Sequence, residues 1–209
     1  QRPVREEDIV ILMRSPGARR KLYERVLAER GIACAAEESG DFFASMEVAV
    51  VYAMLQLIDN PHQDVPLVSV LRSPVFAFSP DRLAEIRAGC PTGDFYTALE
   101  ADGGEDTLRF LADLRQLRFL APDRSVHRLL WHLYNRWNVL GVFGAMDGGE
   151  ERRGHLIALY EHARQFEAAG YRGLFPFVSH LRALLEAGED LQTASAGAQR
   201  GVRLMSIHK

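Results

Sequence analysis

Strand-type sequence stands at both ends of this chain, and a long stretch of almost uninterrupted helix-type sequence separates them. That arrangement constrains the fold more than any other feature, because short isolated strands need partners and the nearest partners here are at the opposite end. Near the start, Ile9-Val10-Ile11-Leu12-Met13 is a short apolar run suited to a buried strand. A helical segment follows at once, with Leu22, Tyr23, Val26 and Leu27 on one face, and Gly31 stops it. Ile32-Ala33-Cys34-Ala35 reads as a second strand, so the opening is a βαβ unit, which normally packs as parallel strands. At the far end Val202, Leu204, Ser206 and His208 alternate with Arg203, Met205, Ile207 and Lys209, the period of a strand. The simplest account is a mainly α fold in which a helical domain is inserted into a small, incomplete parallel α/β sheet formed by the chain ends. The expected divisions are 1–40, 41–200 with a connector over 188–201, and a return strand over 201–209.

The middle explains itself by periodicity. Val48 to Ile58 is apolar around its whole axis, which implies deep burial, and Asn60-Pro61 ends it. Pro66 to Leu71 and Pro80 to Ala88 read as short helices, the second with Ser79 as N-cap and Pro80 in the first helical position. A tight Ser73-Pro74 corner lies between them. Val126, Leu129, Leu130, Leu133, Tyr134 and Trp137 follow helical spacing, with Ser125 positioned to cap. Leu156, Leu159, Tyr160, Ala163 and Phe166 make a second stripe, and Leu174, Phe177, Val178, Leu181 and Leu185 a third. Such stripes are core. Gly103-Gly104 and Gly148-Gly149 mark turns, and Gly188 to Gly201, polar and aperiodic, reads as a mobile connector.

Composition removes several classes of function. No run approaches the roughly 20 apolar residues of a membrane span, and nothing resembles an export signal, so a cytoplasmic protein is expected. Cys34 and Cys90 are far apart and outside C-x-x-C spacing, which suggests neither a disulfide scaffold nor a zinc site. A formal charge of -3 argues against a surface that wraps nucleic acid throughout, so any DNA contact is expected to be local. His127, His132, His155 and His162 lack a coordinating cluster and read as surface or capping residues; no metal ligand is assigned. Glu150-Glu151-Arg152-Arg153 reads as a solvated first helical turn.

Three stretches resemble the superfamily 1 helicases of the UvrD and RecB kind, most closely the A subunit of the bacterial AddAB-type helicase-nuclease. Asp8 to Ser15 is similar to motif IV. Phe42-Phe43, Met46-Glu47-Val48, Asp59-Asn60-Pro61 and Leu71-Arg72-Ser73-Pro74 resemble the start of the inserted 2B domain. Val202 to Lys209 is similar to the opening of motif V, and Tyr171-Arg172-Gly173-Leu174-Phe175-Pro176-Phe177 also looks like this family. The order and spacing together are more specific than any single stretch.

The resemblance implies that the chain is a piece of an ATP-dependent DNA helicase-nuclease acting in double-strand break repair, with ATP and Mg²⁺ as cofactors and with DNA and a B-type subunit for partners. Arg14 matches the motif IV arginine that reaches the γ-phosphate, and a guanidinium suits that task because it offers two-pronged bonds and stays charged. Met13 stands where the UvrD pattern has an adenine-stacking tyrosine, so only thioether packing on the base is expected. Ser206 and His208 match positions that approach single-stranded DNA, and Arg72 and Ser73 lie where related helicases turn near duplex DNA. No G-x-x-x-x-G-K-[ST] phosphate loop occurs in these residues, so the chain alone is expected neither to hydrolyse ATP nor to unwind DNA. A second reading from a different class makes the helical region a protein-interaction platform for the partner subunit, without DNA contact.

Overall fold

The computed structural model describes residues 2–14, 17–35, 42–187 and 201–206. Most of the connector anticipated over 188–201, together with His208, falls outside the described residues. The chain divides into two compact units, Gln1–Gly40 with Gln192–Lys209, and Asp41–Leu191.

The first unit holds a three-stranded parallel sheet built from both ends of the chain. Strand β1 (Val10–Met13) leads into helix α1 (Gly17–Glu29) and strand β2 (Cys34–Ala35), and β3 (Val202–Ser206) arrives from the far end. The order is β1-β3-β2, with both neighbours parallel to β3. The expected βαβ strands are therefore parallel but not adjacent, because the returning strand pairs between them. Its backbone links the two directly: Val202 N donates to Ala33 O at 2.8 Å and Arg203 N to Ile9 O at 3.0 Å. As the central strand, β3 is the buried one, with Val202 3% and Leu204 0% exposed. The stripe expected to bury on α1 stays open instead, with Leu22, Tyr23 and Val26 at 49%, 43% and 40%. Strands of four, two and five residues give a sheet too small to cover a helix of 13.

The second unit is wholly helical among its described residues. Its elements are α2 (Met46–Asp59), α3 (Asp64–Arg72), α4 (Pro80–Gly89), α5 (Phe95–Ala101), α6 (Glu105–Leu120), α7 (Val126–Arg136), α8 (Val139–Gly144), α9 (Gly149–Ala168) and α10 (Leu174–Ala187). Helix α2 is the hub, packed by α3, α6, α9 and α10. That is why it is apolar all round: Val48, Val51, Met54 and Leu55 are 0% exposed, and each such side chain contributes about 1.5–3 kcal/mol by leaving water. Arg118 of α6 donates through Nη1 to the carbonyls of Leu57, Ile58 and Asp59 at 3.0–3.2 Å, satisfying the open end of α2. Ser79 caps α4 as expected, accepting from Arg82 N at 3.1 Å.

Helix α7 is capped differently from expectation. The Ser125 hydroxyl makes no cap bond and has no hydrogen-bond partner among the described residues. The carboxylate of Glu167, from α9, accepts instead from Val126 N at 2.7 Å, His127 N at 3.3 Å and His127 Nδ1 at 2.5 Å. A charged acceptor near the positive end of a helix outcompetes a neutral hydroxyl. No described helix is long and apolar enough to cross a membrane.

Candidate functional sites

In the sheet unit the β1 and β3 registers pair Met13 with Ser206, so residues from opposite ends of the sequence meet at the carboxyl ends of adjacent parallel strands. Met13 is half-buried, and Arg14, next in the chain, is exposed. No ion pair to Arg14 occurs among the described residues, so its guanidinium is available to an anion. In open parallel sheets the carboxyl ends of the strands are where ligands bind, since the loops there can be shaped without disturbing the sheet. The register thus brings Met13, Arg14 and Ser206 together, while His208 lies beyond the described residues.

Arg72 and Ser73 form a separate corner in the helical unit, at the end of α3. Arg72 Nη1 donates to Phe78 O at 2.9 Å, and Phe78 N donates back to Leu71 O at 3.0 Å. Ser73 O accepts from Phe76 N at 3.1 Å and from Ala77 N at 2.7 Å, closing a compact loop. Within it Ala77 takes φ 54, a left-handed conformation unusual for a residue with a Cβ. Arg72 is exposed, but Ser73 is only 4% exposed and its buried hydroxyl has no partner among the described residues. The corner therefore presents Arg72 to solvent and withdraws Ser73. Beside it a cavity of about 350 Å³ is walled by Phe76, Phe110 and Trp137, with Phe76 edge-on to both other rings at 5.0 Å. Its buried acid, Asp113, is engaged by the Arg136 guanidinium and by Trp137 Nε1 at 3.1 Å.

A buried charged cluster joins the start of α2 to α9. Glu47, 1% exposed, accepts from Arg152 Nη1 at 2.5 Å and lies 2.5 Å from His155 Nδ1. Burial alone would raise this carboxyl. Hydrogen bonds from His155, from its own backbone N–H and from Arg152, together with the Arg152 charge, outweigh burial and hold the pKa at about 2. Arg152 is thus no member of a solvated turn, a correction to the expectation for Glu150 to Arg153. The available signal was an acid inside a helix apolar on every side, which burial requires to be paired. Histidines elsewhere are also paired within the fold: His127 with Glu167, and His162 Nε2 with His180 Nε2 at 3.0 Å. Among the described residues no group of three or more His, Cys, Asp or Glu side chains could hold a metal ion.

The architecture that emerges is a helical unit carried between strands of a parallel α/β sheet, with a cationic strand end opposite a returning strand. No protein-family model matches the chain. Curated proteins do. The A subunit of the ATP-dependent helicase/nuclease of Geobacillus thermodenitrificans is 39% identical over 222 residues, covering 100% of this chain and 18% of that protein. The proteins of the same name from Geobacillus kaustophilus and Acetivibrio thermocellus are 40% and 39% identical, over 96% and 100% of this chain and 17% of each relative. Over its whole length the chain is thus similar to these ATP-dependent helicase/nuclease A subunits, the UvrD/RecB-like group its motifs resemble, and it spans less than one fifth of the length of these relatives.

Proposed function

We propose that this chain forms part of the motor of an ATP-dependent DNA helicase/nuclease that acts in double-strand break repair, as a portion of its A subunit working with a B-type subunit. On this reading residues 1–40 and 201–209 belong to the second motor lobe. Residues 41–200 are its helical 2B-type insertion, which guides DNA and transmits lobe movement. The observation that carries the reading is the parallel pairing of β1 with β3, which sets Arg14 and Ser206 at neighbouring strand ends. ATP, when bound, supplies the phosphoryl group whose transfer drives such a motor. Arg14 meets the charge on the γ-phosphate with two-pronged hydrogen bonds, its exposure leaving it unspent on the fold. Met13, half-buried beside it, packs its thioether against the adenine. Ser206 and His208 contact the single-stranded backbone, and Arg72 contacts duplex phosphate from the α3 corner, with Ser73 shaping that corner from beneath.

The test is ATP turnover by the complete protein with its partner. Arg14→Ala is expected to lower kcat by roughly 100-fold or more, the usual cost of removing a preorganised cation from a charge-developing centre. Arg14→Lys should recover only part of it, because an ammonium cannot reproduce the planar fork. Wild-type turnover in Arg14→Ala would end the motor assignment.

A further inference from the structure

The turn between α9 and α10 carries an aromatic face that the motor reading leaves without a task. Gly170 and Gly173, at φ 95 and 93, fold the chain tightly on either side of Tyr171 and Arg172. Tyr171 N donates to Phe166 O at 3.3 Å, and the Tyr171 ring lies on the Phe166 ring, centroids 5.0 Å apart and 23° from parallel. Phe166 is itself held by Phe177 edge-on at 5.2 Å and by the His180 ring, stacked at 5.3 Å, and is 8% exposed. Tyr171 nevertheless remains 60% exposed, so one face is backed by a buried ring and the other is open to water. Holding an exposed aromatic in this way lowers the side-chain ordering cost that a stacking partner would otherwise meet.

Charge indicates what that partner is. The stretch 168–185 contains no Asp or Glu, in a chain whose net charge is -3, and it carries Arg172 and Arg182. Arg172, adjacent to Tyr171, is exposed and has no ion pair among the described residues. Phe175, in the first turn of α10, adds a second exposed ring at 66%. A nucleotide satisfies the ring and the cation with one repeating unit, a flat base at fixed spacing from a phosphate. A protein partner would have to bring an acid of its own to the same spot. Bases inside a duplex are stacked on their neighbours, so an unpaired strand is the form that fits.

We propose that Tyr171 is a stacking platform for an unpaired base of single-stranded DNA, with Arg172 neutralising the attached phosphate. This rests on the reading of the chain as part of a DNA motor and adds a contact surface on the helical unit, apart from the strand-end residues. The experiment is fluorescence anisotropy with the 209-residue chain at low salt, using a short oligodeoxythymidylate and an abasic backbone of equal length. Tyr171→Ala should weaken thymidylate binding about tenfold and leave abasic binding unchanged, since only the stack is lost. Tyr171→Trp should bind as wild type within about twofold and add tryptophan quenching on thymidylate, a signal a merely structural role would not give. Arg172→Ala should weaken both probes and reduce the salt dependence by about one phosphate contact.

Equal thymidylate binding by Tyr171→Ala and wild type overturns the platform, as does absence of any thymidylate binding by wild type. Unchanged DNA binding with weakened association to a partner protein overturns it in favour of a protein surface. None of these outcomes touches Arg14, whose ATPase test stands separately.

Discussion

In the helical unit Val48, Met54, Leu55 and Phe177 are 0% exposed, whereas in the sheet unit Leu12, Leu22 and Val10 remain 61%, 49% and 38% exposed. Helix α1, with Arg19, Arg20, Lys21 and Arg25, is more polar than α2, but strand β1 is Val-Ile-Leu-Met, so hydrophobicity alone does not account for the difference. Geometry does. Helix α2 is surrounded by four other helices, and its side chains find neighbours in every direction. A sheet of three short strands with one helix has too little second layer to close a core. The helical unit is therefore organised to hold itself together, and the sheet unit to pair strands and present their ends. On the proposed motor reading the apolar faces left open are ones that further elements of an α/β lobe would cover.

The sharpest way to break this contrast is to attack the helical unit at its buried charge. Glu47→Gln should cost about 3 kcal/mol at neutral pH, because Arg152 loses the carboxylate that compensates its charge and the His155 ring loses a charged hydrogen-bond partner. The folded-state pKa of about 2 lies below the ordinary 4.5, so the stabilisation is fully present above pH 4.5 and is lost as pH falls towards 2. Wild type and variant should thus differ in urea midpoint at pH 7 and converge near pH 2. Parallel curves across that range would mean that Glu47 titrates alike in the folded and unfolded chain, so that its ionisation does not support the fold. His162, held down to about pKa 4 by burial and then by the His180 charge, adds a loss of stability in the same direction between pH 6.5 and 4. Measuring the Glu47 effect below that window keeps the two apart.

A smaller effect separates capping by a distant residue from capping by a local one. Glu167→Ala should destabilise the helical unit by about 1–2 kcal/mol, since two backbone N–H groups of α7 lose their acceptor. Ser125→Ala should change the thermal midpoint little, its hydroxyl having no partner among the described residues. The reverse ranking would show that the serine caps in solution.

The Ser125 and Glu167 pair also marks where sequence reasoning stops. Local signals were legible: the α2 apolar run, the Ser79-Pro80 start of α4, and the strand period at both ends all correspond to described elements. What could not be read is whatever depends on contacts between distant residues. Glu167 is 41 residues from the amide it caps, and Arg152 is 105 from Glu47. Helix α6 does carry a stripe, Phe110, Leu111, Leu114 and Leu117, which went unread, whereas α5 and α8, at seven and six residues, are too short to display a period. Of the candidate site, the pairing of the two chain ends was legible, but its order was not, since nothing local announces that β3 enters between β1 and β2. Ser73 illustrates the limit at single-residue scale: a serine at a Pro corner reads as surface, yet three backbone bonds curl the loop over it.

The smallest predicted effect bears most directly on the contrast between the units. Leu12→Ser replaces an apolar side chain that is 61% exposed on β1, and should alter stability by no more than about 0.5 kcal/mol. A buried leucine treated the same way would cost several times more, because water would have to be excluded from a polar group without a partner. If the face is open in solution, the variant should also bind less of a dye that reports exposed apolar surface, with its melting midpoint unmoved. A loss of about 2 kcal/mol or more would mean that Leu12 is covered in solution, by this chain or by a second copy. Repeating the measurement over a range of protein concentrations separates those cases, since only association makes the midpoint depend on concentration.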